Sequence, residues 1–175
     1  VVSVCGDSTF YHAVIPALIN AQHNKADITF IVLDNAGTAM TGFQPHPGLT
    51  VSAVGETVPA VDIGKICEAI GAKVEESDPF DLATTTKKIS TFLEEKGNLK
   101  VLILRQACAL SPEKKGKKQY EIKVNEDLCL GDDCGCNRLC TRIFRCPALI
   151  WDKTKKKAVV DEVICAGCGF CAAIC

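Results

Sequence analysis

Val1-Val2-Ser3-Val4-Cys5-Gly6-Asp7-Ser8 and, further on, Ile28-Thr29-Phe30-Ile31-Val32-Leu33-Asp34-Asn35 decide the fold. Each is an apolar run that stops at polar residues, and the stretch between them, Tyr11 to Gln22, reads as a helix. Two strands joined by a helix in so few residues form a parallel βαβ unit. Asp7 and Asn35 then leave the carboxyl ends of the strands, the edge at which open α/β sheets bind ligands. A carboxylate and an amide oxygen beside a helix amino terminus suit a hard divalent cation holding a phosphorylated cofactor.

The alternation continues outward from that unit. Residues 35–59 form a long segment rich in Gly, Thr and Pro, the kind of loop that is usually functional. Val61 to Gly71 carries helical spacing at Ile63, Ile66, Cys67 and Ile70, with Gly71 as its stop. A short strand near Lys73-Val74 and a turn at Asp78-Pro79 follow. Thr84 to Lys96 is the next expected helix, with Ile89, Phe92 and Leu93 on one face. Val101-Leu102-Ile103-Leu104 is continuously apolar, as a strand covered on both faces would be. Residues 1–110 therefore make one parallel α/β domain. Residues 111–121, with Pro112, Gly116 and lysines at 114, 115, 117 and 118, read as a solvated linker. The sharper reading of those lysines is a patch for an acidic electron carrier. Residues 122–175 form a second, smaller module.

Bulk composition sets limits. The hydrophobic fraction of 47% and charged fraction of 23% are those of a globular protein. A formal net charge of −1 argues against a general nucleic-acid binder, and no apolar run is long enough to span a membrane. The chain opens with Val directly on a strand and ends on a cysteine, which reads as a piece of something longer. Twelve cysteines are the outlier, nine of them in the last 47 residues. Cys5, Cys67 and Cys108 sit singly in apolar surroundings, as inert buried thiols do. Reduced metal binding in the cytoplasm explains this usage better than a secreted disulfide scaffold.

The cysteine tail is specific. Cys165-x2-Cys168-x2-Cys171-x3-Cys175 is the spacing that wraps a 4Fe–4S cluster in soft thiolate ligands. In two-cluster modules the fourth cysteine of each run crosses to the other cluster, and Cys146-Pro147 is such an ending. Cys165, Cys168, Cys171 and Cys146 are assigned to one cluster. Cys175 joins the other, for which Cys129, Cys134, Cys136 and Cys140 compete for three places. Cys136 is favoured over Cys134 because it keeps the shorter gap to Cys140. Structural zinc, the rival, takes its ligands in two separated pairs. Residues 148–160 read as a hairpin between the runs, with Lys155-Lys156-Lys157 at a solvated tip. So small a core needs its metal.

The combination resembles a known family. Gly6-Asp7-Ser8 with Asp34-Asn35, with 27 residues between Asp7 and Asn35, resembles the thiamine diphosphate motif that runs from Gly-Asp-x to Asn-Asn. Thr38-Ala39-Met40-Thr41-Gly42 and Gln44-Pro45-His46-Pro47-Gly48 look like the loop of the indolepyruvate:ferredoxin oxidoreductase alpha-subunit family. Arg105-Gln106-Ala107-Cys108-Ala109-Leu110 is similar to the segment closing that family's domain, and the double cysteine run fits it too. The resemblance spans nearly the whole chain, as a C-terminal fragment.

It implies a thiamine diphosphate-binding parallel-sheet domain followed by a small ferredoxin-like α+β domain with two 4Fe–4S clusters. Asp7, the Asn35 side chain and the Gly37 carbonyl would hold Mg²⁺. Gly6 adjoins them, Ser8 and Thr9 would cap the following helix and meet the diphosphate, and Thr38, Ala39, Met40 and Thr41 would run along the cofactor. Asp34 would end the sheet. His46 is the one histidine taken as a substrate-pocket group, His12 and His23 being surface or packing residues. Met40 is either core or a cofactor contact. The implied reaction is oxidative decarboxylation of a 2-oxo acid, indolepyruvate or another arylpyruvate, with coenzyme A taking the acyl group and ferredoxin the electrons. A beta subunit and the remainder of the alpha chain would complete the enzyme. The rivals are a sister enzyme specific for an arylglyoxylate or pyruvate, and an electron-transfer protein that has lost its cofactor.

Overall fold

The computed structural model describes residues 1–111, 113–114 and 116–175. Pro112 and Lys115, two residues of the expected linker, lie outside the described residues. The chain divides into two units, Val1–Ser111 and Pro112–Cys175.

In the first unit, β1 (Val2–Gly6), β2 (Ile28–Asp34), β3 (Lys73–Ser77) and β4 (Leu99–Arg105) form one parallel sheet in the order β1-β2-β4-β3. Leu99, Val101, Leu102 and Ile103 are fully buried, so β4 is the covered central strand its apolar run predicts. Lys100 lies in the same run at 1% exposure. Its ammonium meets Asp27 at 2.6 Å and donates to the Glu95 carbonyl at 2.7 Å, which makes burial of the charge tolerable.

The first helical segment starts earlier than expected. One α-turn, Asp7–Thr9, follows Gly6 directly; a π segment, Phe10–Val14, leads into α1 (Ile15–His23). Pro16 has no N–H to give the fourth carbonyl before it, that of His12, and a widened turn accommodates the loss. Gly6 is the N-cap, and no side chain caps this end. Ser8 and Thr9 therefore lie inside the first turn and do not cap it, contrary to the expectation.

α2 (Ile63–Ile70) begins at Asp62, whose carboxylate accepts from Lys65 N at 2.8 Å, and stops at Gly71 with φ 92°. α3 (Leu82–Glu94) starts two residues before the expected point because Asp81 caps it. Its buried stripe runs through Thr85 and Phe92 with Ile89 half-buried, while Leu93 is exposed. Helical spacing places Leu93 about 100° round from Phe92, off the stripe. The main core gathers Phe10, Leu18, Phe30, Val32, Ile63, Cys67, Val101 and Ile103.

The second unit has an antiparallel hairpin, β5 (Leu149–Asp152) and β6 (Lys157–Val160), with Trp151 opposite Ala158. The Arg138 guanidinium lies 4.1 Å from the Trp151 ring centre. Buried apolar residues here are few: Ala148, Leu149 and Ala158 among those described. Lys155 pairs with Glu126 at 2.7 Å and Lys157 donates to the Glu126 carbonyl, so the hairpin tip is tethered and not simply solvated. Tyr120 N bonds the Gly167 carbonyl at 3.0 Å, which ties part of the 111–121 stretch into this unit. No helix of the described residues is long and apolar enough to cross a membrane.

Candidate cofactor and cluster sites

Asp7 directly follows β1 at 3% exposure, and its carboxylate is fixed from several directions. Oδ1 accepts from Ser8 N at 2.7 Å; Oδ2 accepts from Asn35 N at 3.1 Å and Gly37 N at 3.3 Å. His46 Nε2 lies 3.1 Å from Oδ2, close enough for a contact but outside hydrogen-bond alignment. His46 thus meets the motif carboxylate itself. Beside it the Asn35 Oδ1 atom is buried with no hydrogen-bond partner among the described residues. A buried acceptor left unpaired is costly, and a bound cation relieves that cost. The Gly37 carbonyl accepts from Ala39 N at 2.9 Å and keeps a second lone pair. One carboxylate and neutral oxygens completed by phosphates is the donor set Mg²⁺ takes, so these residues fit it.

The loop after Asn35 is ordered by its own bonds. Thr38 pairs with Gln44 as an antiparallel bridge, Gln44 exchanges side-chain bonds with Thr41 at 2.6 Å, and Ala39–Thr41 forms a short 3-10 turn. Ala36 and Phe43 hold positive φ of 60° and 62°, strain of the sort that gathers at functional sites. Met40 sits fully exposed in that turn, so it is not core. His12 and His23 are exposed.

In the second unit the thiols fall into two electrostatic groups. Burial pushes the Cys171 thiol up, and Cys168, Cys146 and Cys165 add to it. Burial likewise raises Cys140, with Cys136 and Cys175 adding to it. Cys134 is raised chiefly by its hydrogen bond with Cys136, and Cys136 is lowered chiefly by the Leu139 backbone N–H, then by Cys134 and the Arg138 N–H. The Gly167 N–H points at Cys165 Sγ, 3.4 Å away. Cys129 donates its N–H to the Asn125 carbonyl at 3.0 Å and lies in neither group. No three His, Cys, Asp or Glu side chains among the described residues are arranged to hold a metal ion. Elsewhere, Cys67 is buried and its thiol is pushed up to about 12, first by desolvation. Cys5 and Cys108 are only half-buried, unlike the fully buried thiols expected, although burial still pushes Cys5 up to about 11.

The profile of the thiamine pyrophosphate enzyme C-terminal TPP binding domain matches residues 1–103, more than half of the chain. The chain belongs to the thiamine pyrophosphate enzyme family. It is also similar over its full length to proteins named indolepyruvate oxidoreductase subunit IorA. These include that of Thermococcus kodakarensis (42% identical over 182 residues), that of Pyrococcus horikoshii (40% over 184) and that of Archaeoglobus fulgidus (38% over 176). All of this chain is covered in each case, and 27% of each relative, so it spans about a quarter of their length.

Several side-chain contacts around this candidate site go beyond what the sequence shows. Asp34 lies within reach of Asp7, and its carboxyl is raised first by burial and also by Asp7, against the opposing Ala36 N–H and Arg105. Arg105, at the end of β4, meets Glu76 at 3.0 Å, Asp34 at 3.4 Å and Asp62 at 3.9 Å. Their positions at strand ends were legible; their convergence depends on the β2-β4-β3 neighbour order. Tyr11 stacks on His46 with ring centres 5.4 Å apart and donates to the Val61 carbonyl. A Cβ at Gly48 would stand 2.6 Å from the Tyr11 hydroxyl and 3.0 Å from His46 Cε1. Gly48→Ala is therefore expected to destabilise the fold by about 1–3 kcal/mol, the usual cost of overpacking. Urea unfolding checks this; an unchanged midpoint would mean the Tyr11 ring yields freely.

Proposed function

We propose that this chain provides the diphosphate-binding half-site and the electron exit of a thiamine diphosphate-dependent 2-oxo acid oxidoreductase. The observation that carries the reading is the buried Asp7 carboxylate beside the unpaired Asn35 Oδ1, at the carboxyl ends of neighbouring parallel strands. Asp7, Asn35 and the Gly37 carbonyl would hold Mg²⁺, and the metal would hold the diphosphate. Nothing stands within 4 Å of where a Cβ at Gly6 would be, which leaves open space there for the diphosphate. Ser8 and Thr9 line the first turn, where helix N–H groups favour an anion. Thr38, Ala39, Met40 and Thr41 would flank the cofactor from the ordered hairpin.

Bound thiamine diphosphate supplies the electron sink that lets a 2-oxo acid lose carbon dioxide. The second unit would carry the electrons away. The grouping of Cys146, Cys165, Cys168 and Cys171 supports one 4Fe–4S cluster, and that of Cys136, Cys140 and Cys175 supports the other, with Cys129 completing it. Cys136 is favoured over Cys134 because backbone N–H groups already stabilise its thiolate. Ferredoxin would accept the electrons and coenzyme A the acyl group, in the cytoplasm. The names of the IorA relatives support indolepyruvate or another arylpyruvate as substrate, with a beta subunit and the remainder of the alpha chain completing the site.

The test is anaerobic reconstitution of the full-length protein with its partner subunit, thiamine diphosphate, Mg²⁺, iron and sulfide. Ferredoxin reduction is then followed with indolepyruvate, phenylpyruvate and pyruvate, each with coenzyme A. Reduction fastest with the aryl substrates is expected. Pyruvate outrunning them would overturn the substrate assignment, and absence of bound thiamine diphosphate would overturn the enzyme reading.

A further inference from the structure

We infer that His46 is a positioning residue for the metal-binding carboxylate: it acts through Asp7, does not contact substrate, and locks the 35–61 loop to the metal site. The inference rests on the diphosphate-site reading above. Its first support is the hydrogen-bond network. Nδ1 of His46 accepts from Gly48 N at 3.1 Å, so that nitrogen carries no proton and the ring hydrogen sits on Nε2. Nε2–H lies 3.1 Å from Asp7 Oδ2, outside hydrogen-bond alignment, and has no hydrogen-bond partner among the described residues, so the carboxylate is its nearest acceptor.

The second support is the way the ring is held. His46 is 6% exposed and lies against Tyr11, the two rings 26° from parallel. Tyr11 in turn bonds Val61 O, and Val61 N bonds Pro47 O at 2.8 Å. Gly48 is the small residue that lets both rings close on the loop. The carboxylate is therefore held from both ends of the loop: Asn35 N and Gly37 N donate to it where the loop begins, and the His46 ring contacts it where the loop folds back. A carboxylate whose Oδ2 accepts from two backbone N–H groups and has the His46 ring packed 3.1 Å away cannot swing freely, and Oδ1, with one backbone donor, keeps lone pairs for a cation. Partners of this kind orient a metal ligand and set its affinity without touching the metal.

Two substitutions separate positioning from packing. His46→Gln places an amide N–H near the position of Nε2 and loses the ring; His46→Phe keeps the ring on Tyr11 and loses both nitrogens. The experiment uses the full-length protein with its partner subunit. Mn²⁺ binding at saturating thiamine diphosphate is measured by electron paramagnetic resonance, and amide exchange at Asn35 and Gly37 is followed in metal-free protein. His46→Phe is expected to weaken Mn²⁺ binding by roughly tenfold or more and to speed exchange of both amides. His46→Gln is expected to stay near wild type in both. Phe matching wild type, or Gln losing as much as Phe, overturns the inference. If the wild-type protein binds no Mn²⁺ with thiamine diphosphate, the diphosphate reading fails, and the exchange measurement still decides whether His46 positions Asp7.

Discussion

Asp7→Ala is expected to lower metal-dependent thiamine diphosphate affinity by on the order of a hundredfold, since losing one partner of a buried charged pair costs roughly 2–5 kcal/mol. The effect has two sources. The cation loses its one carboxylate, and Asn35 Oδ1 is left with no charge to share. The backbone N–H groups of Ser8, Asn35 and Gly37 also lose their acceptor, which destabilises the strand ends themselves. Asp7→Asn separates these sources, because an amide oxygen can still accept from the backbone while the charge is gone. Titration calorimetry of the full-length protein with its partner subunit, in Mg²⁺, measures the affinity, and thermal unfolding measures the fold. The expected pattern is weak binding in both variants with a lowered melting temperature chiefly in the alanine variant. Wild-type affinity in Asp7→Asn would remove Asp7 from the metal site.

The second large effect concerns iron. Cys146→Ser is expected to lose half of the cluster iron, as is Cys140→Ser, because the two thiols fall into different groups. The pairwise combinations are the sharper measurement. If Cys146 and Cys171 serve one cluster, the double variant loses no more iron than either single variant, the non-additive signature of a shared unit. Cys146→Ser with Cys140→Ser should lose nearly all of it. Cys134→Ser is expected to keep both clusters, while Cys136→Ser loses one. Iron and sulfide analysis after anaerobic reconstitution of the full-length protein reads all of these. Loss in Cys134→Ser with retention in Cys136→Ser would exchange their roles. Cys146→Ser with Cys140→Ser losing no more iron than either alone would mean that the two groups are not independent.

The parallel sheet was legible because its strands are apolar runs that end on Gly6, Asp34 and Arg105, and a covered strand such as β4 has nothing else to say. Helix limits were less so. The segment after β1 began a turn early because Gly6 needs no side chain to cap a helix that starts on the strand itself. Leu93 was placed inward because it is four residues from Ile89, but it sits at the rim of the buried stripe, about 100° round from Phe92, and is exposed. At the site, Asp7 and Asn35 could be named from sequence since each ends its own strand. His46 could be named but not placed: what it touches depends on how residues 35–48 fold back, and no spacing rule encodes that return. The contacts of Tyr11, Asp34 and Arg105 were illegible for the same reason, their partners lying on other elements.

Among the described residues β1 has a strand neighbour on one side only, and Val2 and Val4 are about half exposed along it. An outermost strand detaches at lower free energy than a central one, and here that strand carries the metal-binding carboxylate at its end. Cofactor affinity then contains a conformational penalty, the fraction of time the strand spends undocked. Whatever polypeptide lies along that free edge would tighten diphosphate binding by suppressing fraying, without contributing a single ligand.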